Sequence, residues 1–227
     1  MKKAVKICPH IYQVGGSTLS ASEDCCVYLI ENEGEGVLID AGAGKGSQRI
    51  LDNIKSLGLS LQAVKYIILT HGHIDHVGGL KYLQEQTGAQ VVCHHLELPA
   101  IQDGEPKLTA AALYGMKYDG VNVDIVLHGD DGVHLGNLQI YCPHTPGHTV
   151  GGISPYIDIA GQRILFGQDI HGPFSSQWGS DMKQWRDSMR KLLALEADIL
   201  CEGHFGIYQP AAEVKRYIEG YLRQYIR

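Results

Sequence analysis

The stretch Val64-Lys65-Tyr66-Ile67-Ile68-Leu69-Thr70-His71-Gly72-His73-Ile74-Asp75-His76 decides how this chain is read. Its first half is apolar, β-branched and aromatic, as a buried strand requires, and its second half carries three imidazoles and one carboxylate. A strand that runs into a loop can aim alternate side chains at one point. Neutral imidazole with carboxylate is the donor set that suits zinc or non-haem iron. Four such groups turned into a dry site without a cation would be costly. His71, His73, Asp75 and His76 are therefore candidate metal ligands.

Working outward, Cys25-Cys26-Val27-Tyr28-Leu29-Ile30 and Gly36-Val37-Leu38-Ile39-Asp40 read as two buried strands of a hairpin. A helix follows at Ile50, Ile54 and Leu57, and the spacing predicts a second one over 77–86. The segment 95–120, with Pro99, Gly104 and Pro106 before an Ala-rich helical piece, is the least regular and is expected to form a lid. Short strands are predicted over 124–127, 138–142, 152–158 and 163–166. Two terminal helices carry apolar stripes, Trp185, Met189, Leu192 and Leu193 on one and Val214, Tyr217, Ile218, Tyr221, Leu222 and Tyr225 on the other, which read as core. Strands in two groups with helices between and after them predict an α/β (α+β) fold, two sheets packed face to face and covered outside by helices. No repeat or linker interrupts it, so one domain over 1–227 is expected.

Composition narrows the function. With 44% hydrophobic and 19% charged residues over 227 positions, the chain is globular, and its length suffices to bury roughly 70% of the unfolded surface. The formal charge of −6, with scattered basic residues, argues against nucleic acid. No apolar run approaches the ~20 residues that cross a bilayer, so no membrane association is expected. Met1 to His10 lacks the apolar stretch of a secretory signal, and a cytoplasmic protein is expected. The six cysteines show no CxxC pair and read as small buried hydrophobes.

The His-x-His-x-Asp-His run resembles the metallo-β-lactamase superfamily, whose fold is a four-layer αββα sandwich with a two-metal site along one edge of the sheets. Three further segments carry the resemblance in order: Thr145-Pro146-Gly147-His148-Thr149, Phe166-Gly167-Gln168-Asp169 and Cys201-Glu202-Gly203-His204. The resemblance implies that His71, His73 and His148 hold one metal, that Asp75, His76 and His204 hold a second, and that Asp169 bridges them. Two divalent ions per chain follow, zinc first, with iron or manganese as alternatives. A hydroxide shared by the two ions would attack the substrate carbonyl. Asp40 matches an aspartate behind the metal loop, expected to orient a ligand imidazole or the loop backbone. Asp75 and His171 are the candidate catalytic side chains, His171 as a donor to an oxyanion. Phe174, Trp178 and Tyr114 are expected to line a pocket for an apolar acyl group. His10, His94, His95, His128 and His134 match no motif and read as surface or strand-end residues, and His144 as locally packed.

Within the superfamily, the aspartate at 169 points to the glyoxalase-II-like (hydroxyacylglutathione hydrolase-like) branch, because true zinc β-lactamases carry cysteine or serine there. A thioesterase acting on a small-molecule acyl substrate is the leading expectation. Two alternatives stand beside it. A lactonase of the same fold usually has a tyrosine three residues after that aspartate, where this chain has Gly172. A mononuclear iron persulfide dioxygenase would use only His71, His148 and Asp169. The 23 residues after His204 are too few for the helical domain that binds glutathione, so glutathione itself is not expected. The aromatic C-terminal stripe leaves room for a homodimer.

Overall fold

The computed structural model describes residues 3–225. One seven-stranded sheet contains, in spatial order, β1 (Val5–Cys8), β2 (Ile11–Gly15), β3 (Val27–Asn32), β4 (Glu35–Ile39), β5 (Val64–Ile68), β6 (Gln90–His94) and β7 (Ile125–Leu127). The second sheet has six strands, β8 (Asp131–Leu135), β9 (Leu138–Cys142), β10 (Tyr156–Ile159), β11 (Gln162–Phe166), β12 (Ile199–Cys201) and β13 (Ile207–Tyr208), also in spatial order. Helices α1 (Ser47–Ser56), α2 (Ile74–Val77), α3 (Leu80–Thr87) and α4 (Leu98–Ile101) belong to the first half, and α5 (Met182–Ala194) and α6 (Ala211–Tyr225) to the second. This is the four-layer αββα architecture.

The near-continuous apolar runs of β3, β4 and β5 follow from burial on both faces. Val27, Leu29, Leu38 and Ile67 point outward to Ile50, Leu51 and Ile54 of α1 and Leu80 and Leu83 of α3. Their neighbours Tyr28, Ile30, Val37, Ile39 and Ile68 point inward, where they meet Ile140, Ile157, Ile164 and Phe166 of the second sheet. On the far face, Trp185, Met189 and Leu192 of α5 and Val214 and Ile218 of α6 close over Leu165 and Leu200. The two terminal stripes are thus core.

Four local expectations change. The helix predicted over 77–86 is split at Gly78-Gly79 into α2 and α3, and the backbone there packs too closely for a side chain, a Cβ at Gly78 standing 2.3 Å from the Ala43 carbonyl oxygen and one at Gly79 2.3 Å from that of Ala41. The strand expected over 152–158 begins only at Tyr156, since Pro155 has no N–H for a ladder, and Ile153 keeps a single bridge to His144. The Ala-rich piece of the 95–120 segment is one short 3-10 turn, Ala111–Tyr114, with left-handed Ala110 and Gly115 at its ends. His94, expected at a surface or strand end, does end β6 but is buried against His144.

Parallel pairing places the site. Ile39 pairs with Ile68 and Phe166 with Cys201, so the carboxyl ends of β4 and β5, and of β11 and β12, lie side by side. The loops that leave those ends carry Asp40, His71 to His76, Asp169 and His204. Two bonds tie the sheets together at this edge, from Cys26 N to the Gly203 carbonyl at 2.7 Å and from the Tyr28 hydroxyl to the Glu202 carbonyl at 2.6 Å.

Candidate metal centre

Seven side chains from four loops converge at this edge. His71, His73, His148 and Asp169 form one group and Asp75, His76 and His204 another, and within each group one donor atom per residue lies within 4.8 Å of the others. All are buried except His204, which is half-buried. His73 Nδ1 stands 2.9 Å from His148 Nε2. Asp169 faces both groups: Oδ2 is 3.6 Å from His148 Nε2, while Oδ1 is 3.3 Å from His76 Nε2 and 3.4 Å from His204 Nε2. Asp75 Oδ2 is 3.2 Å from His204 Nε2 and 3.9 Å from His76 Nε2.

Electrostatics divide the groups. Burial, with repulsion from the neighbouring imidazoles, pushes His71 well below the usual histidine range, His73 to about 3 and His148 to about 4. These rings stay neutral, the form that binds a metal. Around His76 and His204 burial opposes protonation but anionic neighbours outweigh it. Asp40, Asp169 and Asp75 raise His76, and Asp169 and Asp75 bring His204 to about 10. The second group attracts positive charge.

The donor set fits a pair of divalent cations. His71 Nε2, His76 Nε2 and Asp169 Oδ1 are buried without a hydrogen-bond partner, a costly state that a coordinated ion relieves.

The residues behind the candidate ligands are specific. Asp40, with φ of 65°, accepts from the Thr70 N–H at 2.8 Å and from His76 Nδ1 at 2.8 Å, so its carboxylate fixes one imidazole and the loop that bears it. Glu97, which the sequence reading passes over, is fully buried between two ligand loops. Its carboxylate accepts from Gly72 N at 2.9 Å, Gly151 N at 2.8 Å and Thr149 Oγ1 at 2.6 Å. Glu202, quoted only as part of a motif, accepts from His171 Nδ1 at 2.7 Å, His204 N at 2.6 Å and Phe205 N at 2.8 Å.

A pocket of about 280 Å³ opens over the centre, and His171, Tyr114 and Trp178 line it with His73, Asp75, Asp169 and His204. Trp178 packs edge-on against His73 with centroids 5.0 Å apart. Phe174 corrects an expectation: it does not line this pocket but turns to Trp185 and Tyr225, 5.4 and 5.1 Å away, where the ring gains an aromatic cluster under α5 and α6. Leu113, Pro173 and Phe205 stand on the wall instead.

Comparison with known proteins agrees with this architecture. The metallo-beta-lactamase superfamily model matches residues 23–204. The chain is 30% identical over 212 residues to the "Probable metallo-hydrolase YflN" of Bacillus subtilis, covering 78% of this chain and 79% of that protein. It is 31% identical over 191 residues to the hydroxyacylglutathione hydrolase of Aeromonas salmonicida, covering 81% of this chain but only 61% of that enzyme. A solved metallo-beta-lactamase of Legionella gormanii superposes with a TM-score of 0.82 at 21% identity, covering 98% of this chain and 94% of that one, a likeness of fold. With the family model spanning every segment that supplies the seven side chains, the chain belongs to the metallo-beta-lactamase superfamily.

Proposed function

We propose that this chain is a binuclear metal-dependent hydrolase that cleaves a thioester or a similar activated acyl ester of a small molecule. His71, His73 and His148 would hold one divalent cation, Asp75, His76 and His204 the other, with Asp169 shared. Zinc is the first expectation, and the same donors accept iron or manganese. The observation that carries this reading is the Asp169 carboxylate, whose two oxygens face different ligand groups. The relatives named as metallo-hydrolase and hydroxyacylglutathione hydrolase support it. Six free, buried cysteines fit a reducing cytoplasmic setting.

Two cations bound there would supply a water nucleophile at neutral pH and polarise the acyl carbonyl. The protein's own groups do the positioning. Asp40 and Thr70 hold the His76 ring, and Glu97 holds the backbone on either side of the first group. With His171 Nδ1–H donated to Glu202, Nε2 is the free ring atom, and as the imidazolium it would donate to an oxyanion or a leaving group. Asp75 acts through the second cation group, where it pairs with His204. The segment 95–120 contributes Ala110, Leu113 and Tyr114 to the mouth, the position a lid would occupy.

A mononuclear dioxygenase would leave Asp75, His76 and His204 without a task, and their convergence favours the two-metal reading. Elemental analysis tests it: two cations per chain are expected, falling to about one in His76→Ala, together with hydrolysis of members of a thioester, ester and lactone panel. A single iron insensitive to that substitution, with oxygen uptake on a persulfide, would replace the hydrolase. His171→Ala should lower kcat on the order of 10²-fold. A change of only a few fold would remove its role.

A further inference from the structure

The pocket over the metal centre has a chemical character of its own. Among the described residues, no lysine or arginine lines it. Its polar groups are the candidate metal ligands, His171, the Tyr114 hydroxyl and the Trp178 indole N–H, whereas Ala110, Leu113, Pro173, Phe205 and the two aromatic rings supply apolar surface. Leu113 is 73% exposed and Phe205 59% exposed, among the large apolar side chains most open to water in the described residues. They come from distant segments, the turn at Ala111–Tyr114 and the loop after β12, yet flank one opening. Two exposed apolar residues on either side of a concave site mark a surface meant to be covered by a ligand.

A carboxylate in this mouth, away from the histidines of the centre, would lose its hydration with no described lysine or arginine to receive it. The only positive charge the reading provides is on the floor, where the scissile carbonyl has to sit. The chain as a whole carries −6, so long-range attraction does not favour an anion either. We infer that the substrate is an uncharged ester or thioester with an apolar acyl chain of medium length, seated between Leu113 and Phe205, and that its leaving group carries no carboxylate. This rests on the hydrolase reading of the same site and names its substrate class. At about 30 Å³ per non-hydrogen atom, a cavity of about 280 Å³ holds about nine atoms, among them the cations and the water they would bind, so the enclosed part of the acyl chain is shorter than eight carbons.

The test uses two matched series on the metal-loaded protein: straight-chain acyl thioesters of N-acetylcysteamine, which is neutral, and of 3-mercaptopropionate, which bears a carboxylate. In the neutral series kcat/KM should rise by up to about fourfold per added methylene and level off below about eight carbons. The neutral leaving group should be preferred at least about tenfold at equal chain length. Leu113→Lys and Phe205→Lys, both on exposed side chains, should flatten the chain-length dependence and shrink the preference for the neutral series. A flat chain-length profile, or a preference for the carboxylate series, overturns the inference while leaving the hydrolase reading intact. If neither series is cleaved, the thioesterase reading fails, and binding decides the inference. Quenching of Trp178 fluorescence, isolated by comparison with Trp178→Phe, should then favour octan-2-one over octanoate, and the reverse order overturns it.

Discussion

The carboxylate of Glu97 accepts a hydrogen bond of 2.9 Å from the backbone N–H of Gly72, between the candidate ligands His71 and His73. The same carboxylate holds Thr149 and Gly151 beyond His148, so one buried group joins the two loops that carry the first ligand group. There is no room for slack: a Cβ at Gly72 would sit 2.4 Å from that of Ala100, and one at Gly151 would sit 2.8 Å from Glu97 Cγ. Glu97→Ala would leave three buried donors unpaired, each worth about 1–3 kcal/mol. Glu97→Gln keeps the volume but sets an amide N–H against backbone donors. The glutamine variant should fold with a lowered melting temperature and lose affinity at the first group, with the second retained. Metal titration of both variants checks this, and equal weakening of both sites would mean that Glu97 supports the fold and not the loop pair.

Asp40 makes the complementary prediction. It bonds His76 directly and reaches His71 only through the Thr70 hydroxyl, 3.1 Å from His71 Nδ1, so Asp40→Ala should weaken the second site by about 10–100-fold and the first much less. Dialysis against limiting zinc should return about one ion per chain. Two ions retained at wild-type affinity would show that His76 needs no such support.

What the sequence makes legible follows from how each residue is held. Of the seven converging side chains, His71, His73, Asp75 and His76 lie in one run at the end of an apolar strand and are legible by themselves, whereas His148, Asp169 and His204 are gathered by the resemblance to the family. β3, β4 and β5 are equally plain because both their faces are buried. β1 and β8 are not, since Lys6 interrupts one and Asp131, Gly132 and His134 the other. Glu97 is invisible along the chain because its partners come from two remote loops. Phe174 misleads for the same reason: only the packing of α5 against α6 offers its ring a better surface than the pocket.

The histidines outside the metal centre carry a pH prediction. His94 stacks on His144 with centroids 4.0 Å apart, and His95 stacks on His128 at 4.7 Å beside it. Burial, then repulsion from His144, His95 and His128, pushes His94 down to about 4, and burial lowers His144 as well. An unfolded imidazole titrates near 6.5, so between about 6.5 and 4 the unfolded chain binds a proton that native His94 refuses, and stability falls as pH falls. The slope contributed by one such group is at most about 1.4 kcal/mol per pH unit. His94→Gln should flatten the acid limb of melting temperature against pH, compared as metal-free proteins. Parallel limbs would assign the acid sensitivity to other groups.

Removal of the metals should cost stability as well as activity. In the metal-free protein the buried Asp75 and Asp169 are balanced only by protonated His76 and His204, and His71 Nε2 stays without a partner. A cation held at a free concentration a thousand times its dissociation constant contributes about 4 kcal/mol to folding, which for a chain of this length raises the melting temperature by about 10 °C. Calorimetry with and without chelator should show that difference and its recovery on adding zinc. His204→Ala should keep the part due to the first group, whereas His148→Ala should keep the part due to the second. If chelation leaves the melting temperature unchanged in all three proteins, the seven side chains do not hold metal with useful affinity, and the buried unpaired nitrogens need another explanation.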